Sequence, residues 1–171
     1  MQPMRPTCAT QARANRWANE RLYAVLADLS PAELGRGFGV NFGSVLGIAN
    51  HTVLVDQAWL FRFTGEGVAP ATVDAVSYPD FAALRAARQA EDARIIDFAA
   101  RLDPARLGQT LRYASLKGEP CAEPFAICLA HFWGHQTFHR GQLHALLGIL
   151  GHPAPDLDLI FYQVTHRDDA P

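Results

Sequence analysis

Four of the seven histidines in the 171-residue sequence lie in the stretch HFWGHQTFHRGQLH, residues 131–144. Imidazole nitrogen binds zinc, nickel, copper and iron, so the spacing of these histidines decides whether they could share one ion. On a helix, residues four apart have Cβ atoms about 5–6 Å apart and can bind the same metal. His135 has such a neighbour on each side, whereas His131 and His139 are about 12 Å apart along a straight helix. The spacing therefore predicts that His135 binds the metal together with either His131 or His139.

A third ligand has to come from another element, and His51 is the best candidate in the sequence. It lies in the middle of the apolar segment SVLGIANHTVLVDQAWLFRF, on the same helical face as Val55 and Trp59. A buried imidazole there would need a polar partner, and a metal would supply one. The alternative is a core histidine that hydrogen-bonds to an ordinary protein group. The other histidines are expected at the surface: His144, His152 and His166.

Two familiar kinds of metal site are excluded by the residues around these histidines. The zincin motif HExxH requires a glutamate where this chain has Gln136, and the Glu-x-x-His pairs of di-iron bundles are absent from the inward positions. The remaining class is a mononuclear site of three imidazoles, which leaves one or more coordination positions open. Zinc or nickel is the expected divalent ion, one for each chain, although the same ligands suit copper and iron.

Two further side chains are expected near the ligands. Gln142 falls on the inward face of its helix, where it could hold a water molecule or a substrate oxygen. Asp56 is about 140° from His51 around the helix, so we expect it to orient an imidazole and not to bind the metal itself. Arg140 is expected in an ion pair between helices.

Three kinds of function agree with such a site. An ion that acidifies water would give a hydrolase, and an ion that holds a thiolate would give a thiol transferase. The third is a bundle that binds a metal or small molecule without turnover, because no additional general base accompanies the histidines. In each case we expect a small-molecule ligand or substrate.

The elements that position these residues are four long segments with helical period: residues 11–29, 44–63, 80–102 and 124–150. Between the last two, residues 107–124 alternate in polarity around a Lys-Gly pair and predict a small β-hairpin. The tail DLDLIFYQ is expected to pack back on the helices. The sequence therefore predicts an all-α four-helix bundle with one hairpin, forming a single domain over residues 1–171.

Composition narrows the environment of this fold. Fifteen basic and seventeen acidic side chains are interspersed and give a net charge of −2, which argues against nucleic acid as a partner. No apolar run has the length of a membrane span or of a signal peptide, so no membrane association and a cytoplasmic location are expected. The odd number of cysteines, Cys8, Cys121 and Cys128, predicts free thiols and no disulfide framework.

With this arrangement of histidines and helices, the chain resembles the DinB/YfiT-like superfamily of four-helix-bundle proteins. The resemblance rests on NHTVLVDQAWL around His51, on HQTFHRGQ in the last helix, and on the following LGILGHPAP. Further similarity runs through NRWANERLYAVLADL, YPDFAALRAAR and DLDLIFY, and so covers nearly the whole chain.

The resemblance implies properties that spacing alone leaves open. It makes His51, His135 and His139 the metal ligands and His131 a neighbour. It implies an up-down-down-up order of helices, with residues 64–79 as the long crossover between the second and third. Some relatives are transferases or isomerases that use a low-molecular-weight thiol, and many form homodimers, so a possible thiol cofactor and a homodimer are expected here.

Overall fold

The computed structural model describes residues 8–167, so residues 1–7 and 168–171 of the predicted domain lie outside the described part. The described chain is mostly helical, as predicted, with one small antiparallel sheet. Its elements are α1 Cys8–Leu26, α2 Pro31–Gly35, α3 Val45–Thr64, α4 Phe81–Arg101, β1 Thr110–Ala114, β2 Pro120–Pro124, α5 Phe125–Leu150 and α6 Leu159–Thr165. A short 3₁₀ helix, Pro104–Gly108, precedes β1.

Capping residues fix the ends of the long helices. The side chains of Ser44 and Asp80 accept hydrogen bonds from the backbone N–H three residues later, and so begin α3 and α4. Gly65 and Gly151 end α3 and α5 in the left-handed conformation, with φ of 74° and 81°, which glycine adopts without a steric penalty. These four helices are the four predicted segments, with boundaries shifted by a few residues.

The largest boundary error is at the end of the first helix, which stops at Leu26 and not at residue 29. Ser30 starts a separate short helix, because its side chain and that of Glu33 form a reciprocal capping box and Pro31 occupies the first turn. The Ser-Pro pair therefore marks both a helix end and the beginning of α2.

The predicted β-hairpin is confirmed, and it contacts the start of α5. Thr110 pairs with Pro124 and Ala114 with Pro120, and Gly118 takes a φ of 81° in the turn. Leu111 is buried in the same apolar cluster as Phe125, which attaches the hairpin to the helical core.

Aromatic contacts show which ends of the long helices lie next to each other. Phe63, at the end of α3, contacts Phe125 at the start of α5 and Phe98 near the end of α4. Tyr23, near the end of α1, stacks on Phe81 at the start of α4. The tail packs back on the helices as predicted, with Tyr162 of α6 against Trp17 of α1. Ile149 is about 40° from His135 around α5, an angle that predicts a core-facing side chain, but it is 63% exposed near the end of that helix.

A layer of buried polar side chains crosses the helical core. Arg88 of α4 binds Asp56 of α3 at 2.5 Å and Asp92, one turn along α4, at 3.0 Å. Asp92 also accepts hydrogen bonds from the amides of Asn15 and Asn19 of α1. The oxygens of these two amides accept hydrogen bonds from Arg140 of α5. Arg140 therefore bridges helices through amides, which corrects the predicted ion pair.

Within residues 8–167, no helix has the length and apolar character needed to cross a membrane.

Candidate metal centre

The ring nitrogens of His51, His135 and His139 converge at one point between α3 and α5. Nε2 of His135 lies 3.1 Å from Nε2 of His139 and 3.3 Å from Nε2 of His51, and the three potential ligand atoms all lie within 4.8 Å of one another. Tetrahedral zinc with bonds of about 2.0–2.1 Å would separate its nitrogens by roughly 3.3 Å. The cluster therefore has dimensions that could hold one metal ion.

The local helix geometry explains why these three histidines meet. His135 and His139 are one turn apart on α5, and His51 faces them from the first half of α3. His51 and His139 are buried, and His135 is half-buried. His131 lies one turn before His135 but is exposed, with its ring 5.6 Å from that of His135. The structure thus brings together the set implied by the family resemblance and leaves His131 beside it.

Hydrogen bonds at the opposite ring nitrogens orient two of the three imidazoles. Nδ1 of His51 donates to the backbone carbonyl of Val73 at 2.8 Å, and Nδ1 of His139 donates to Oε1 of Gln142 at 2.7 Å. With their protons on Nδ1, both rings present the lone pair of Nε2 to the centre of the cluster.

The third imidazole makes a bound cation the simplest partner for the cluster. If Nε2 of His135 carried a proton, that proton could be donated to Nε2 of His51 or to Nε2 of His139, but not well to both. The lone pair of the other histidine would then face a nitrogen that offers it no hydrogen. The buried Nδ1 of His135 has no hydrogen-bond partner among the described residues in either tautomer, so only the Nε2 side distinguishes a proton from a metal ion. A divalent ion satisfies three Nε2 lone pairs at once, so the residues present fit a mononuclear metal.

The surroundings keep these histidines neutral, which is the form that binds metals. Burial lowers the pKa of His51 and His139 below the ordinary value, and the pKa of His135 falls to about 3 through burial and through the neighbouring histidines. Metal binding near neutral pH would therefore release few protons from this site.

These lowered pKa values predict that the metal-free protein loses stability in mild acid. Each folded-state pKa lies below the unfolded value of 6.5. Above pH 6.5 the imidazoles are neutral in both states and the folded protein keeps its full stability. Below pH 6.5 protonation favours the unfolded state, so the free energy of unfolding falls. We expect a loss of about 1 kcal/mol from His135 between pH 7 and pH 5, after allowance for partial solvent screening. Urea unfolding of chelator-treated protein measures it. His135→Ala should flatten the pH dependence, and an equally steep dependence in that variant would contradict the assignment.

Gln142 has a different contact from the one expected from the sequence, because its amide oxygen accepts the proton of His139 and so orients a candidate ligand. Loss of such a partner commonly weakens metal binding 10–100-fold. We therefore expect Gln142→Ala to raise the metal Kd by about that factor, measured by competition with a chromophoric chelator. Gln142→Glu keeps an acceptor and should bind metal at least as tightly as Gln142→Ala. An unchanged Kd in Gln142→Ala would show that this hydrogen bond does not position the ring.

Asp56, expected to orient an imidazole, is instead part of the buried polar layer. It is 0% exposed, and its Oδ2 accepts a hydrogen bond from Arg88. Among the described residues no hydrogen bond joins it to a histidine, so the structure gives it no part in orienting the cluster. Trp59 lies at the edge of the site, with its ring 5.3 Å from that of His131, and it also packs into the core.

Phe42 is a site residue that the sequence analysis missed. Its ring stacks on His51 with centroids 3.6 Å apart and also approaches His139, so it covers one side of the cluster. Its φ of 66° is unusual for a residue with a side chain, and Gly47 accommodates it, because a Cβ there would lie 1.9 Å from the Phe42 carbonyl oxygen. The dense glycines of GRGFGVNFG were the available signal, since they indicate an irregular, closely packed loop.

Comparison with known proteins gives a family and a fold. The model of the DinB family matches residues 4–169. A crystal structure of a DinB-like protein from Bacillus cereus is similar, with a TM-score of 0.58 and 18% identity over 82% of this chain and 90% of that one. That degree of identity supports similarity of fold alone. No curated protein matches the sequence.

Proposed function

The chain belongs to the DinB family, and from that premise we propose that it is a metalloenzyme with one divalent ion held by His51, His135 and His139. The observation that carries this proposal is the convergence of three Nε2 atoms, two of them fixed as acceptors by hydrogen bonds at Nδ1. We propose zinc or nickel as the ion, although three imidazoles also suit copper and iron.

The ion would supply Lewis acidity at a coordination position that the three imidazoles leave free. The surrounding residues determine what reaches that position. Phe42 blocks the face of His51, whereas His131 is exposed beside His135 and Trp59 forms a wall next to it. A small molecule would therefore approach the cluster from the His131 side.

Thiol transfer to an electrophilic carbon is the reaction we propose for this site. Some members of the family that the chain resembles are thiol-dependent transferases. Among the described residues no carboxylate hydrogen-bonds to the three histidines, so a water or a thiol at this site would depend on the ion for loss of its proton. A thiol would release its proton to solvent, and its sulfur would then displace a leaving group, such as a halide, from the electrophilic carbon.

The test is a pair of assays on zinc- or nickel-loaded protein. Monobromobimane with cysteine, glutathione or coenzyme A reports thioether formation by fluorescence, and 4-nitrophenyl acetate without thiol reports hydrolysis. Faster thioether formation in the wild type that is lost in His135→Ala supports thiol transfer. Metal-dependent ester hydrolysis alone would support a hydrolase, and stoichiometric metal binding without either activity would support a binding protein.

We also infer the up-down-down-up order within a single domain. Three aromatic contacts support it. The end of α3 contacts the start of α5 and the end of α4. The end of α1 contacts the start of α4. Helix α3 would then be parallel to α4 and antiparallel to α5. The long segment between α3 and α4 is the crossover that a parallel pair requires.

A homodimer through α5 is the assembly we propose. Gly134, Gly141 and Gly148 repeat every seven residues on its exposed side, and a Cβ at any of them would meet nothing within 4 Å in the protomer. Glycine inside a helix costs roughly 0.5–1 kcal/mol relative to alanine, and nothing within one protomer requires it at these positions. Close approach of a second α5 would account for all three glycines.

Gly141→Leu should therefore convert a dimer into a monomer, because a branched side chain would separate the two helices. Size-exclusion chromatography with light scattering measures the mass of the wild type and the variant. Ala86→Leu, on the exposed face of α4, is the matched control and should leave the mass unchanged. A monomeric wild type, or a dimer unaffected by Gly141→Leu, would contradict the proposed interface.

A further inference from the structure

A separate cavity of about 420 Å³ lies along α3 beyond the histidine cluster. Ala58 and Arg62, which line it, are seven and eleven residues after His51, so each lies within about 20° of His51 around the helix. Along the helix axis, the cavity therefore begins about 10 Å beyond His51, at Ala58, and extends to about 21 Å, at Gly65. Its other walls come from the α3–α4 crossover and from the hairpin, including Pro70, Arg112, Tyr113 and Ser115.

The crossover connects this cavity with the histidine cluster. Residues 69–71 line the cavity, and Val73, slightly further along, accepts the hydrogen bond from Nδ1 of His51. Trp59 provides a second connection, because its ring lies 5.3 Å from that of His131 and 5.5 Å from that of Tyr113. The region between the two sites is thus aromatic and apolar.

Arg62 is a cation at this cavity with no carboxylate partner. Its guanidinium lies 4.6 Å from the ring centre of Trp59 and 4.8 Å from that of Tyr113, and no acidic group lies within 4 Å among the described residues. By contrast, Arg88 pairs with carboxylates and Arg140 donates to amide oxygens. Arg106, which also lies over an aromatic ring, donates to the backbone carbonyl of Phe63. A half-buried guanidinium held between two rings keeps its hydrogen-bond donors available for an anion.

Arg112 of β1 is the second such cation. It also lines the cavity, from an exposed strand position that pairs with Ala122, whereas Tyr113 and Glu123 project from the other face of the hairpin. No ion pair of Arg112 occurs within the described part of the chain. The described residues that line the cavity thus include two arginines and no aspartate or glutamate.

We propose that this cavity binds the carboxylate end of an elongated small molecule whose reacting end lies at the histidine cluster. Guanidinium groups bind carboxylates through paired hydrogen bonds, and the apolar region at Trp59 suits an uncharged chain between the two ends. The placement of the reacting end rests on the proposed function. Recognition of the carboxylate rests on the arginines alone.

The test compares 8-mercaptooctanoate with 8-mercaptooctanamide, which differ only in the charge at one end. Isothermal titration calorimetry on metal-loaded wild-type protein should show the acid binding about tenfold more tightly than the amide, as expected for charge-assisted hydrogen bonds. The preference should fall to about twofold or less in Arg62→Met/Arg112→Met. Arg85→Met, an exposed arginine on α4, is the matched control and should retain the full preference.

The His135→Ala variant separates this proposal from the proposed metal chemistry. Both probes should bind it more weakly, because the thiol end loses its partner, but the preference for the acid should remain. Loss of the preference in His135→Ala would place the carboxylate at the metal and would overturn the proposal. Equal affinities for the two probes in the wild type, or a full preference in the double variant, would overturn it as well. Arg112→Met alone, at an exposed position, should reduce the preference even if Arg62→Met unfolds the protein.

Discussion

His135→Ala is expected to lower metal affinity by about a hundredfold to a thousandfold. Zinc sites with four ligands bind the ion with a free energy of roughly 10–16 kcal/mol, and one quarter of that free energy corresponds to such a change. The effect should be largest at this position because Nε2 of His135 lies within 3.3 Å of the other two candidate ligand atoms. Competition with a chelator of known affinity gives the Kd, and mass spectrometry of dialysed protein gives the metal content.

His131→Ala is the matched control for this prediction. It removes an imidazole one turn earlier on the same helix, at an exposed position outside the cluster of three. We expect its metal Kd to equal that of the wild type. Loss of metal in His131→Ala with retention in His139→Ala would mean that α5 uses its other histidine pair, and the assignment would be wrong.

Asp56→Ala should destabilise the protein by about 2–3 kcal/mol, because it leaves hydrogen-bond donors of the buried Arg88 guanidinium unsatisfied while Asp92 still compensates the charge. Both side chains are almost fully enclosed, with exposed fractions of 0% for Asp56 and 4% for Arg88. Urea unfolding of the metal-free protein measures the change without a contribution from metal binding. Asp97→Ala, which removes the partner of exposed Arg101, should change stability little.

The same variant separates the two roles considered for Asp56. If this carboxylate oriented a ligand, as the sequence suggested, Asp56→Ala would weaken metal binding and leave the free energy of unfolding nearly unchanged. The contact with Arg88 predicts the reverse. Replacement of both partners, Asp56→Leu with Arg88→Met, should recover little of the lost stability, because the buried carboxylate of Asp92 then has no cation.

Much of the fold follows from local signals in the sequence. The long helices have regular apolar period and recognisable caps such as Ser44 and Gly151, and the hairpin has alternating polarity around its turn. Helix α2 was missed because five residues are too few to show a period, and only the capping box at Ser30 indicates it.

The site was predictable where it depended on one helix at a time. The four-residue spacing on α5 predicted that His135 and one neighbour could meet, but it treats His131 and His139 alike. Which of the two joins His135 depends on tertiary structure. It is decided by the position along α5 at which His51 of α3 faces that helix. The same reason explains why the stacking of Phe42 on His51 could not be predicted, since their contact depends on the path of a loop.

Polar residues were the least predictable group. Gln142 and Asp56 were both placed near the ligands from their angles around a helix, yet one binds His139 and the other binds Arg88 of α4. The angle gives the direction in which a side chain leaves its own helix. It contains no information about which polar group the neighbouring helix presents there.

X-ray absorption spectroscopy of the zinc-loaded wild-type protein, with metal content measured on the same sample, tests the central assignment most directly. We predict about one ion per chain with three imidazole nitrogens at about 2.0–2.1 Å. A sulfur ligand at about 2.3 Å would instead place the metal at one of the free cysteines, and a protein that retains no metal after reconstitution would contradict the three-histidine site.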